Sequence, residues 1–202
     1  MRSLPSQPDR QPHPLLGNVY DSQLEMVRES TDLVKVPPVP EGYELRGFRA
    51  GDEGHYEELF HLVFEDEGRL PEILDRSLKD GFFVVEHPAS GDLVASCVAM
   101  RGSSSPRHPE AGQLGWLVTA PCHTGTGLGT IVSAWATNRL AVEGCRRPFL
   151  GTEDFRIAAI AIYLKLGWRP HIYRDDMTAR WRAIFSRLGR EFGSENPQQS
   201  PV

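Results

Sequence analysis

The stretch that decides the fold is Pro121-Cys122-His123-Thr124-Gly125-Thr126-Gly127-Leu128-Gly129. It lies between an apolar run, Gln113 to Ala120, and a long amphipathic segment, Leu128 to Ala141. Glycines at alternate positions between a strand and a helix make a loop that offers backbone N–H groups rather than side chains. Where such a loop feeds the positive end of a helix, it suits a phosphate. A phosphate-bearing ligand is therefore expected here.

Outward from that loop, the chain alternates strands and helices. Downstream come a strand (Pro148 to Thr152), a helix (Phe155 to Leu166) stopped by Gly167, a short strand around Ile172 and Tyr173, and a last helix from Thr178 to Leu188. Arg180, Arg182, Arg187 and Arg190 on that last helix read as a solvated face. Upstream, Tyr43 to Arg49 alternates as a strand and Asp52 opens a helix running to Phe64. A second helix covers Pro71 to Lys79, and Phe82 to Glu86 and Leu93 to Met100 form a hairpin about Pro88 to Asp92. Residues 101–111 are a polar loop.

Between Tyr20 and Val34 a short helix is predicted. Ser22 and Glu25 make a capping-box pattern, and Leu24, Val27, Thr31 and Val34 fall on one face. Lys35-Val36-Pro37-Pro38-Val39-Pro40 follows as an extended linker. The expected layout is a tail, helix and linker over residues 1–40, one domain over 41–190, and a disordered tail over 191–202.

The chain has 202 residues, 40% of them hydrophobic, enough for one well-cored domain. A net charge of −5 argues against a nucleic-acid partner, whose phosphates demand cations. Cys97, Cys122 and Cys145 are odd in number and widely spaced, which fits neither a disulfide framework nor a metal site and suits a reducing cytoplasm. No apolar run approaches the ~20 residues that span a bilayer, so no membrane partner is expected.

Of the phosphate-loop types, a P-loop is excluded because no lysine lies between Lys79 and Lys165. A Rossmann fingerprint is a poor match, since its third glycine position holds Thr130 and no βαβ unit opens the domain. The remaining reading is a coenzyme A pyrophosphate loop. Here the chain resembles the GCN5-related N-acetyltransferase (GNAT) family, whose loop reads [Arg/Gln]-x-x-Gly-x-[Gly/Ala]; Thr124-Gly125-Thr126-Gly127-Leu128-Gly129 matches both final glycines. Arg156-Ile157-Ala158-Ala159-Ile160-Ala161-Ile162-Tyr163-Leu164-Lys165-Leu166-Gly167-Trp168 resembles the family's Asn-x-x-Ala-x-x-Leu-Tyr-x-Lys-Leu-Gly-Phe segment. The likeness spans Tyr43 to about Tyr173.

The resemblance implies an α/β fold: a mixed, mostly antiparallel sheet with helices on both faces and a splayed parallel strand pair at the cofactor site. It implies N-acetyl transfer from acetyl-CoA to an amine by direct attack, without a metal, in a protein that is often a homodimer. Pantetheine would lie along Trp116-Leu117-Val118-Thr119 as an added strand. Pyrophosphate would sit on the N–H groups of Thr124, Gly125, Thr126, Gly127, Leu128, Gly129 and Thr130, with Arg156 and Ala159 lining the site. Tyr163 matches the family's general acid, and a β-strand N–H near Val118 would polarise the thioester carbonyl.

The base stays open. The family position on the strand before the loop holds Gln113, which accepts no proton. Glu65, Asp66 and Glu67 are candidates, with Glu67 preferred, as are Glu153 and Asp154; His123 and His55 are possible relays. The acidic trio also suits selection of a cationic amine. Two departures stand out: Thr124 replaces Arg or Gln, and Arg156 replaces Asn and is placed to reach a phosphate in compensation. With Gln113, they keep a catalytically weak acyl-CoA-binding sensor or scaffold as the alternative.

Overall fold

The structure, a computed structural model, describes residues 23–64 and 68–193. In chain order the elements are β1 (Leu24–Val27), β2 (Glu44–Gly47), α1 (Glu53–His61), α2 (Leu70–Arg76), β3 (Ser77–His87), β4 (Asp92–Met100), β5 (Gln113–Thr119), α3 (Leu128–Val142), β6 (Phe149–Thr152), α4 (Ile157–Lys165), β7 (Arg169–His171) and α5 (Asp175–Arg187). The strands form one seven-stranded sheet in the order β2-β3-β4-β5-β6-β1-β7. Every pairing is antiparallel except β5 with β6.

The pleat sends alternate residues of β3 to opposite faces. Phe82 meets Tyr56 of α1 with ring centroids 4.9 Å apart, while Phe83 meets Trp135 of α3 at 5.7 Å. Helices therefore cover both faces, as the resemblance implies. Asp52 stands at the start of α1, but its carboxylate serves β2: it accepts from Arg46 Nη1 at 2.6 Å and Nη2 at 2.9 Å. Among the described residues, no helix is long and apolar enough to cross a membrane. The three cysteines are free thiols.

The predicted helix between Tyr20 and Val34 is not there; residues 24–27 are instead strand β1, deep in the sheet. Leu24, Glu25, Met26 and Val27 are all buried, and β1 is bonded to β6 on one edge and β7 on the other. Local capping and periodicity favoured a helix, but a helix would have left both neighbouring strand edges unpaired, and tertiary pairing overrides propensity. Ser22, the supposed cap, lies outside the described residues. After β1 the chain crosses α3 in extended form, where Asn138 accepts from the Val34 N–H at 2.7 Å and donates to its carbonyl at 2.9 Å. That strap carries the chain from the sixth strand position to the first.

Glu25 does the opposite of capping. Its buried carboxylate accepts from Ser105 Oγ at 2.8 Å, Arg107 Nε at 3.0 Å, His108 Nε2 at 2.9 Å and His171 Nδ1 at 3.2 Å. It thereby ties β1 to β7 and to the loop between β4 and β5. Burial alone raises its pKa, but the donors, led by Arg107, outweigh it and pull the group from 4.5 to about 2.

The folded pKa lies below the unfolded one, so this carboxylate stabilises the fold fully above about pH 4.5 and loses that contribution as pH falls toward 2. Glu25→Gln is expected to cost about 2–4 kcal/mol at neutral pH, since it removes a buried ion-pair partner. It should also flatten the acid limb of stability measured by urea denaturation from about pH 5 downward. An unchanged acid limb would place the acid sensitivity elsewhere.

Candidate active site

β5 and β6 share a single register pair, Gln113↔Phe149, and beyond it the two parallel strands are not in register. The edge of β5 turned toward β6 is thus left without a strand partner from Gly115 to Thr119. The same stretch is deformed. Ser96 faces Val118 and Val98 faces Gly115, so Trp116 and Leu117 together oppose Cys97 in a β-bulge. Trp116 has φ +57°, a left-handed conformation that is rare for a bulky side chain. Its carbonyl accepts from Ser96 Oγ at 3.3 Å.

The glycine loop follows β5. Residues 121–123 form a 3₁₀ turn, after which Gly125 (φ +80°) and Gly127 (φ +90°) take left-handed conformations that swing the chain into α3. Thr124 N–H donates to the Pro121 carbonyl at 3.4 Å and Thr130 N–H to that of Gly127 at 3.0 Å. Among the described residues, the N–H groups of Gly125 to Gly129 between them make no hydrogen bond. They are the donors an anion needs. No acidic residue lies in the first turn of α3 to oppose it. The hydroxyl of Thr124 donates back to the Pro121 carbonyl at 2.9 Å, so this residue shapes the turn instead of reaching out as an arginine would.

Gly129 is needed for close approach: a Cβ there would stand 3.2 Å from Ile162 Cδ1, 3.2 Å from Thr119 Oγ1 and 3.9 Å from Leu117 Cδ1. This convergence brings Gly129 at the start of α3 against Leu117 and Thr119 of β5 and Ile162 of α4, the helix that also carries Ala159 and Tyr163. Tyr163 is 5% exposed. Burial, then the proximity of Cys97, pushes its hydroxyl pKa far above the ordinary value, so it stays a neutral O–H donor.

The candidate bases fare differently. Glu65, Asp66 and Glu67 lie outside the described residues. Gln113 is spoken for: its side-chain oxygen accepts from Arg76 Nη2 at 2.7 Å and from Ser104 N–H at 3.1 Å. Glu153 pairs with Arg156 and accepts from Gln23 Nε2 at 2.8 Å, while Asp154 pairs with Arg180. His123 Nδ1 is 2.9 Å from Tyr43 Oη, and His55 is exposed on α1. Arg156 lies over the ring of Phe64, 4.7 Å from its centroid.

Three features escaped the sequence reading. The bulge at Trp116 has no local signature in an apolar strand. An aromatic wall forms where Phe60 of α1 and Phe64, just past it, meet Trp116 at 5.5 and 5.4 Å between centroids; the spacing of the two phenylalanines was visible, but not their partner. Glu25, His108 and His171 bring metal-type ligand atoms within 4.8 Å of one another beyond β6. Both Glu25 oxygens already accept from Arg107, whose charge opposes a cation there.

A parallel pair that splays after one register position, a bulge in its β5 member and an N–H-rich loop opening a helix are the features of the fold that the resemblance implies. The Acetyltransferase (GNAT) family profile matches residues 44–168, and the chain belongs to that family. Solved structures agree in fold. A GCN5-related N-acetyltransferase from Sphaerobacter thermophilus superposes with a TM-score of 0.54 at 19% identity, covering 74% of this chain and 48% of that one. Glucosamine-6-phosphate N-acetyltransferase from Arabidopsis thaliana gives 0.53 at 19% identity, covering 66% and 96%. An acetyltransferase from Trypanosoma brucei gives 0.52 at 22% identity, covering 65% and 96%. The chain thus spans about half the length of the Sphaerobacter protein and nearly all of the two shorter ones. No curated protein matches its sequence.

The loop conformation is itself testable. Gly127→Ala forces a Cβ into φ +90° and is expected to cost about 1–2 kcal/mol in chemical denaturation. Gly54→Ala, in open space within α1, should be neutral or slightly stabilising and serves as the control.

Proposed function

We propose that this chain is an acetyl-CoA-dependent N-acyltransferase acting on a primary amine in the cytoplasm. The observation that carries the reading is the junction at Gly129, where the loop N–H groups that make no hydrogen bond among the described residues meet Leu117 and Thr119 of β5 and Ile162 of α4, the helix that bears Tyr163. In this reading the pyrophosphate rests on the N–H groups of residues 125–129, and the pantetheine amides pair with Leu117 to Thr119 along β5. A β5 N–H at the bulge, at or beside Val118, polarises the thioester carbonyl.

The amine nitrogen attacks the acetyl carbon, forming a C–N bond as the C–S bond breaks. Tyr163 gives its proton to the departing sulfur, and the ammonium proton leaves to Glu67. The products are the amide and the coenzyme A thiol, with Tyr163 reprotonated from solvent. Burial keeps Tyr163 protonated at neutral pH, so its O–H is present as the C–S bond breaks.

The second reading, an acyl-CoA-binding module without turnover, draws on Gln113, whose oxygen is already committed to Arg76 and Ser104. Thiol release from acetyl-CoA over a panel of amines separates the two; tight calorimetric binding with no release on any amine would favour the module. If the transferase reading holds, Tyr163→Phe is expected to lower kcat about 100-fold or more while leaving the acetyl-CoA dissociation constant within about threefold. A kcat loss under about threefold would remove Tyr163 from the proton path.

A further inference from the structure

Arg156 stands immediately before the helix that bears Tyr163 and is held there by several contacts. It is the residue before α4, and Tyr163 lies seven residues on, two turns along the same helix face. Its Nε donates to one oxygen of Glu153, whose other oxygen accepts from Gln23 Nε2 at 2.8 Å. The guanidinium carbon stands 4.7 Å from the Phe64 ring centroid and 5.3 Å from that of Phe155. Phe64 in turn packs on Trp116 at the β5 bulge.

Glu153 and the two rings fix the guanidinium plane, and its side chain is only 21% exposed. Among the described residues, nothing accepts from its Nη1 or Nη2. A desolvated, oriented guanidinium with its outer edge open is built for a two-oxygen anion. It is assigned to the acceptor side of the site because it packs on Phe64, just past α1, which packs in turn on Trp116 at the bulge. The loop already has its own donors at residues 125–129.

Resting on the transferase reading, we infer that Arg156 reads a carboxylate on the acceptor, and that the acceptor is an amino acid with an aromatic or large apolar side chain. The carboxylate takes the open edge of Arg156, the side chain packs against Phe64 and Trp116, and the amine turns toward Tyr163. A wholly cationic acceptor such as a polyamine would meet that edge with like charge. The acidic trio at residues 65–67 pointed to a cationic amine; Arg156 argues for a zwitterion.

The test compares L-phenylalanine, phenethylamine (the same amine without its carboxylate) and spermidine at saturating acetyl-CoA, with wild type, Arg156→Gln and Arg156→Lys. Wild type is expected to prefer L-phenylalanine over phenethylamine by about 10- to 100-fold in kcat/KM. Arg156→Gln should abolish that preference through KM for L-phenylalanine alone, and Arg156→Lys should restore part of it. L-Phenylalanine binding followed by tryptophan emission should weaken by the same factor in Arg156→Gln, whether or not turnover is seen. The inference is overturned if phenethylamine or spermidine is the better substrate, if Arg156→Gln weakens acetyl-CoA instead, or if L-phenylalanine leaves the emission of wild type unchanged. Absent acetyl-CoA binding in wild type would sink the transferase reading itself, while the emission titration still decides the role of Arg156.

Discussion

The structure depends on how β6 is held. Toward β5 it has one register pair, Gln113↔Phe149, and toward β1 it has four, from Val27↔Phe149 to Leu24↔Thr152. The strand that forms one wall of the site is therefore anchored from behind, by an N-terminal segment placed far from its chain neighbours. That anchorage lets β5 and β6 part without the sheet falling in two. Glu25 reinforces it by fixing β1 to β7 and to the loop that leads into β5, so the same carboxylate steadies both walls.

The front of the site is held by a different means. A left-handed tryptophan costs on the order of 1–3 kcal/mol and persists only where its surroundings leave no alternative. Trp116 is held by Phe60 and Phe64 on its ring and by Ser96 on its carbonyl. The strain leaves backbone groups of the bulge outside the regular ladder and turns the Trp116 ring toward Phe60 and Phe64. Arg156 uses the Phe64 ring to hold its guanidinium flat. Backbone irregularity and side-chain recognition thus share one set of contacts.

Much of this was legible in the sequence where local chemistry decides. The bounds of α3 follow from Gly127 before it, and the hairpin of β3 and β4 from the turn residues between them; the glycine loop and the Tyr163 helix suffice to indicate the family. What was not legible is what distant residues decide. Residues 24–27 look helical until β6 and β7 exist to pair with them. Trp116 looks like an ordinary strand residue until Cys97 is seen opposite it. Asp154 looks like a solvated carboxylate until Arg180, 26 residues on, reaches back to it. The pairing of Arg156 with Glu153, three residues away, was open to view in the sequence, but its stacking on Phe64 was not.

The placement of β1 has a consequence for the order of events in biosynthesis. Glu25 is made well before His171, its hydrogen-bond partner on β7, which comes 146 residues later. Until β6 and β7 have emerged, β1 is an apolar segment with two unpaired edges, and its long-range closure is a slow kind of contact to make. The hairpin of β3 and β4 can form while synthesis continues; the wall opposite β5 cannot. The wall that faces β5 is therefore completed only after β7 has been made, when β1 gains its second partner strand.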